Sequence, residues 1–223
     1  MLKFRENTID SYIFHKIIHK NEYMLPEDLS NKIAVDIGSH IGSFSIACML
    51  RNIEKVYAFE ANKNNYEIAK YNIEKTGENG EINHLAVWSE SNVELSFTEV
   101  EFNTGMSKVE NCNNENKVKT ISLDDILMNI EKDIDILKID CEGAEYPILY
   151  KCNNLNKIKN IAGEYHNIDN LYNGENLIKF LIEKGYFIIS QYVDKAGIFF
   201  ASKNIEDSVF ILDWSCNNVS YKS

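Results

Sequence analysis

Apolar residues follow two rhythms along the chain. Short, nearly unbroken apolar runs recur at "KIAVDIG", "KVYAFEA", "INHLAVW", "DIDILKID" and "KIKNIAGEYH". Such runs, rich in β-branched residues, predict buried strands. Between them apolar residues return every three or four positions, which predicts helices. The helices expected are "SFSIACML", "NKNNYEIAKYNIEKTG", "SLDDILMNI", the later part of "CEGAEYPILYKC", and "NGENLIKFLIEKG". In the second of these Tyr66, Ala69 and Ile73 share a face and Gly77 is the stop. Ser122 and Asp125 form a weak capping box at the head of the third. Strand alternating with helix predicts an α/β fold, a mostly parallel sheet with helices on both faces. "YFIISQYV" and "GIFFASK" flank "DKA", a turn short enough to force an antiparallel pair at the end.

Two regions depart from the alternation. Residues 5–20 predict one leading helix, with Ile9, Ile13 and Ile17 at four-residue spacing, broken by "LPEDLSNK". His15 and His19 read as surface positions on it, and His84 as a strand residue. Residues 91–121 hold two strand-like stretches, "VELSFTEV" and "KVKTISL", around the polar "NCNNENK". This predicts an inserted hairpin or a flexible excursion.

"VDIGSHIGSFSI" places Asp36, Gly38, His40 and Gly42 where the first strand turns into the first helix. Glycine there allows a tight turn and close approach of a ligand to the backbone. Glu60 ends the second strand, about twenty residues on, the distance at which an acid meets a ribose diol. A strand, glycine turn, helix and acid-ended strand fit an adenosine-containing cofactor. The spacing is G-x-x-x-G, without the middle glycine that a pyrophosphate needs. His40 would crowd a pyrophosphate and Asp36 would repel it. Asp36 instead suits a cofactor carrying an ammonium and a sulfonium, the charges of S-adenosylmethionine.

A second cluster lies in "LKIDCEGAEYPIL". Alternation puts Lys138 and Asp140 on one strand face, with Asp140 at the carboxyl end beside the expected cofactor. Glu142 and Glu145 follow in the turn and early helix, where acids also complement the helix dipole. "GEYH" puts Glu164 and His166 on one face at the end of the fifth strand. His166 is a candidate general base oriented by Glu164 or Asp140, and Asp140, Glu164 and His166 are alternatively candidate ligands for a divalent ion.

Bulk properties narrow the partners. With 34 acids against 23 bases the net charge is −11, which disfavours a nucleic-acid partner. The five cysteines include no C-x-x-C pair, which suits a reducing compartment without structural disulfides. "MLKFRENTID" lacks the apolar core of a signal peptide, and Ile33 to Leu50 carries too many polar residues for a membrane span. A cytoplasmic protein is expected.

The segments "VDIGSHIG", "VYAFEANKNNYEIAKYNI", "HLAV", "ISLDDIL", "LKIDCEGAE" and "GEYH" occur in that order. Together they resemble the FkbM-type family of S-adenosylmethionine-dependent methyltransferases, from about Val35 to His166. "LKIDCEGAE" is the most specific of them. The resemblance implies a Rossmann-like class I methyltransferase sheet of seven strands with an antiparallel last strand. It implies transfer to oxygen, often on sugars or other small molecules. By the same resemblance Gly38, His40 and Gly42 hold the methionine half of the cofactor, Glu60 the ribose, and Ala61 and Asn62 the adenosine. Ala86 and Val87 line the adenine, and Asp140 faces the methyl-donor end. Residues 31–223 are then the methyltransferase domain, and residues 1–30 a helical segment expected to cap the acceptor site. Two other classes stay open: a methyltransferase-fold scaffold without turnover, and a nicotinamide-dependent oxidoreductase, which the glycine spacing disfavours.

Overall fold

The computed structural model describes residues 1–98, 108–110, 117–193, 196–204 and 206. Its central sheet has seven strands, built by β1 (Ile33–Ile37), β2 (Lys55–Glu60), β3 (Gly80–His84), β8 (Ile134–Ile139), β9 (Ile158–His166), β10 (Phe187–Val193) and β11 (Ala196–Ser202), in the order β10-β11-β9-β8-β1-β2-β3. Neighbours run parallel except around β11, which pairs antiparallel with both β9 and β10. The turn residues 194 and 195 fall outside the described residues.

Alternation along the strands splits the core in two. Ile33, Val35 and Ile37 of β1 join one apolar cluster with α4 (Leu123–Asn129), α5 (Glu145–Lys151) and α6 (Gly174–Glu183). Ala34 joins the opposite cluster with α2 (Ser43–Met49), Ile73 of α3 (Lys63–Thr76), and Ile17, Tyr23, Leu25 and Leu29 from the start of the chain. Each layer would be left with an apolar face in water without the other. Side-chain caps start three of the helices: Asn62 for α3, Ser122 for α4 and Asn173 for α6.

Two local readings are corrected and a third is extended. The leading helix is shorter than residues 5–20: α1 spans Asp10–Phe14 and passes into a π-helical turn at His15–His19. The Asp10 carboxylate accepts from the backbone N–H of Arg5, and the Asp10 N–H is itself bonded to Thr8 Oγ1, so residues 5–9 form a turn rather than helix. "INHLAVW" is two strands. The Leu85 N–H bonds back to the Asn83 carbonyl, and this kink sends β4 (Ala86–Trp88) away from the central sheet. β4 pairs with β7 (Lys117–Ser122), and β7 pairs antiparallel with β5 (Glu94–Thr98), which carries β6 (Lys108–Glu110) at its outer edge. The excursion over 91–121 therefore belongs to a second, four-stranded sheet; residues 99–107 and 111–116 fall outside the described residues.

Candidate functional site

The parallel strands of the central sheet end together, and a cleft opens there. The β1–α2 loop forms one wall. Gly38 has φ +74, and a Cβ on it would stand 1.9 Å from the Asp140 carbonyl oxygen, so only glycine fits between the two strand ends. Gly42 has φ +86 and begins α2 against Ile73. His40, between them, also has a left-handed backbone, φ 53.

Glu60 ends β2 at the cleft floor and is buried. Its Oε2 accepts the His40 N–H at 2.8 Å and its Oε1 accepts the Asn62 N–H at 2.8 Å. Burial raises its pKa, against the lowering effect of those two donors. Each oxygen keeps a lone pair for a ligand. Beside it, Ala61, Ala86 and Val87 line the cleft.

Asp36 lies elsewhere than expected. It is fully buried beneath the loop, not in the cleft lining, with Lys138 Nζ 3.3 Å from its Oδ1 and Ser45 Oγ donating to its Oδ2 at 2.7 Å. The parallel register sets Asp36 directly beside Lys138, which explains the pairing. Lys138 Nζ also donates to the Gly38 carbonyl at 2.6 Å, so the pair fixes the loop from below. Burial opposes the charge on Lys138, but Asp36 and Asp140 raise its pKa overall. Gly42 and Asn62 are likewise outside the lining: the Asn62 carboxamide accepts the N–H groups of Asn64 and Asn65 and caps α3. His84 ends β3, as expected, with its ring bonded to the Ala61 carbonyl at 3.1 Å and stacked on Tyr66.

At the other end of the cleft stands the acidic turn after β8. Asp140, Cys141 and Glu142 line the cleft. Glu142 has φ 54 and Gly143 φ 104, a doubly left-handed turn. Glu145, fully buried, stabilises it by accepting the N–H groups of Cys141 at 2.9 Å and Gly143 at 2.8 Å. His166, from β9, meets this turn with both ring nitrogens: Nε2 lies 3.4 Å from Glu142 and Nδ1 3.3 Å from Glu145. Burial lowers the His166 pKa, yet the Glu145 carboxylate beside Nδ1, with the charges of Glu142 and Asp140, carries it up to about 9. Burial, with repulsion from Asp140, Glu145 and Glu164, raises Glu142 to about 7 despite His166. Glu164 is raised too, by burial and then by Asp140.

The structure thus brings Asp140, Glu164 and His166 together, with a ligand atom of each within 4.8 Å of the others. These are two carboxylates and an imidazole, the kinds of group that hold a divalent ion, and an imidazole ligating through one nitrogen hands the other to a carboxylate. Without an ion both nitrogens of His166 face carboxylates, which raises its pKa and favours the charged imidazolium over a free base. Sequence reasoning gave Glu142 no chemical role. Its place two residues after Asp140, at the strand's carboxyl end, was the available signal.

Solved structures resemble this fold. Methyltransferase FkbM from Methylobacillus flagellatus matches with a TM-score of 0.58 and 14% identity over 84% of this chain, which spans 47% of that one. Precorrin-6y C5,15-methyltransferase from Geobacter metallireducens matches with a TM-score of 0.53 and 15% identity, covering 92% of this chain and 94% of that one. A putative RNA methyltransferase from Pyrococcus horikoshii matches with a TM-score of 0.50 and 14% identity, covering 88% and 86%. No curated protein sequence matches. The Methyltransferase FkbM domain model matches residues 36–188, from the buried Asp36 to the start of β10, and the chain belongs to that methyltransferase family.

Proposed function

We propose that the protein transfers a methyl group from S-adenosylmethionine to a hydroxyl on a small molecule or sugar. The observation that carries this reading is the pair of ends of one cleft: Glu60, oriented by two backbone N–H groups, at one, and Asp140 with Glu142 at the other. When bound, the cofactor supplies an electrophilic methyl on a positively charged sulfur. Glu60 accepts hydrogen bonds from the ribose hydroxyls. Ala61, Ala86 and Val87 give the adenine an apolar wall, and the Asp140 carboxylate complements the positive sulfur.

A hydroxyl is a poor nucleophile until its proton leaves, so the chain must supply an acceptor for that proton. Glu142 lines the cleft and titrates near about 7, which suits a general base at neutral pH. His166, 3.4 Å away, acts as a fixed cation that orients Glu142 and stabilises its charged form. Asp140 and Glu164 raise the proton affinity of that group of acids.

The net charge of −11 argues against an RNA acceptor, so the likeness to an RNA methyltransferase is taken as one of fold. Among the described residues no helix is long and apolar enough to cross a membrane. Cys48, Cys141 and Cys152 are free thiols, which fits a reducing, cytoplasmic setting.

The test is calorimetric titration with S-adenosylmethionine and with NAD, followed by a screen of hydroxylated metabolites and sugars for a mass gain of one methyl. Binding of S-adenosylmethionine and methylation of a hydroxyl, with the rate unchanged by a chelator, support the reading. Binding of NAD alone would make the protein an oxidoreductase. Binding of neither would make it a scaffold.

A further inference from the structure

The family match starts at residue 36, yet the residues before it are built into the cofactor end of the cleft. Asp10 is fully buried. Its carboxylate takes three hydrogen bonds from Arg5: from the backbone N–H at 3.0 Å, from Nε at 2.9 Å and from Nη2 at 2.9 Å. The His40 ring lies against this pair, with Nε2 3.2 Å from Asp10 Oδ1 and 3.2 Å from Arg5 Nη2. A second link runs alongside. Asn72 of α3, fully buried, accepts the Lys3 N–H at 2.7 Å and donates to the carbonyls of Lys3 at 3.0 Å and Ile41 at 3.2 Å. Residues 3–10 are therefore joined to His40 and Ile41 of the glycine loop by two separate sets of buried polar contacts.

The position of His40 gives these contacts a consequence. Its backbone is left-handed, a conformation unfavourable for a residue with a Cβ and sustained only where the surroundings hold it. In that conformation its N–H points at Glu60 Oε2. Of the two backbone donors that orient Glu60, the one from Asn62 follows two residues later in the same segment. The one from His40 depends on how the loop is held. A side-chain anchor for His40 is Asp10 with Arg5.

We propose that Asp10 is a positioning residue of the cofactor site: acting through the His40 ring, it holds the loop so that the His40 N–H orients Glu60. The inference rests on the reading of Glu60 as the ribose-binding acid. It makes the start of the chain part of the donor site, where the sequence pointed only to an acceptor-site cap. Asp10→Asn keeps the shape and an acceptor for Arg5 but removes the charge facing His40. His40→Asn removes the ring while leaving a residue that tolerates the left-handed backbone.

The experiment is a double-mutant cycle on S-adenosylhomocysteine affinity by calorimetry, using wild type, Asp10→Asn, His40→Asn and the double variant, with thermal unfolding of each. Each single variant is expected to bind about tenfold more weakly. The double variant is expected to lose no more than about tenfold, because both changes break one link. Unfolding midpoints within a few degrees of wild type show that the loss belongs to the site. Wild-type affinity in either folded single variant would overturn the proposal, as would losses that multiply to about a hundredfold. If Asp10→Asn does not fold, Arg5→Gln takes its place in the cycle, since His40 also lines the cleft: wild-type affinity in a folded Arg5→Gln refutes the link, and a loss of about tenfold that does not multiply with that of His40→Asn supports it. A wild-type protein that binds no S-adenosylhomocysteine would instead defeat the cofactor reading, and this inference with it.

Discussion

Two carboxylates at opposite ends of one cleft sit in opposite surroundings. Glu60 is oriented by two backbone N–H groups at 2.8 Å, donors that cannot rotate away or lose a proton. Glu142 is oriented by a side-chain cation, His166 at 3.4 Å, and pushed toward protonation by burial and then by Asp140, Glu145 and Glu164. The first arrangement fixes the carboxylate's position and suits holding a ligand. The second leaves the charge state open near neutral pH and suits moving a proton. The supports beneath the two ends differ in the same way. The loop end rests on the buried Asp36–Lys138 pair, while the acidic turn rests on Glu145 and its two backbone donors.

The largest break in this comparison comes from Gly38→Ala. A Cβ at 1.9 Å from the Asp140 carbonyl, at φ +74, forces the β1 and β8 ends apart and so disrupts both ends at once. A loss of about 4 kcal/mol is expected, at the severe end for a single substitution, measured by urea unfolding. Lys138→Met acts on the loop end alone. It leaves Asp36 fully buried and without its cation, at a cost of about 3–5 kcal/mol, and adding Asp36→Asn should recover much of it.

Glu142→Gln sharpens the comparison from the other side. The rate of methyl transfer is expected to fall on the order of a hundredfold, while S-adenosylmethionine affinity by calorimetry stays within about twofold. An equal loss of affinity would place Glu142 in the holding end instead.

The smallest effect is a pH dependence of stability. His166 binds its proton more tightly in the fold, at about 9 against an ordinary 6.5. Its contribution is therefore complete below about pH 6.5 and is lost as pH rises through about 9. Glu142, raised to about 7 from 4.5, has the same sign over a lower window: its contribution is complete below 4.5 and is lost as pH rises through about 7. After allowance for solvent screening, each is worth on the order of 1 kcal/mol. Unfolding midpoints should fall from pH 6.5 to 9.5 in the wild type and fall less over that range in His166→Gln.

The holding end was the more legible in sequence. Gly38 and Glu60 announce themselves through local pattern, a glycine turn and the end of an apolar run, whereas Ala61, Ala86 and Val87, which line the cleft, came from the family resemblance. What escaped depends on contacts between distant segments. The partner of Asp36 follows from strand register across about a hundred residues, and alternation alone showed Lys138 sharing a face with Asp140, not with Asp36. The kink at Leu85 is one backbone hydrogen bond inside an unbroken apolar run. The charge of His166 arises from acids in another segment, Asp140, Glu142 and Glu145, so a histidine that reads as a base in isolation becomes a cation in place. Asp10 looked like an ordinary helix residue because nothing nearby in sequence says that His40 will reach it.

The division between a holding end and a proton-moving end is tested most directly by calorimetric titration of S-adenosylmethionine into wild type, Glu60→Gln and His166→Gln. An amide at Glu60 keeps one acceptor but presents an NH₂ where the other faces a backbone N–H, and loses the charge-assisted bonds to the ribose. The expected result is one-to-one binding by the wild type, at least tenfold weaker binding by Glu60→Gln, and His166→Gln within about twofold of wild type. Undiminished binding by a folded Glu60→Gln, or a tenfold loss in His166→Gln, would contradict the account.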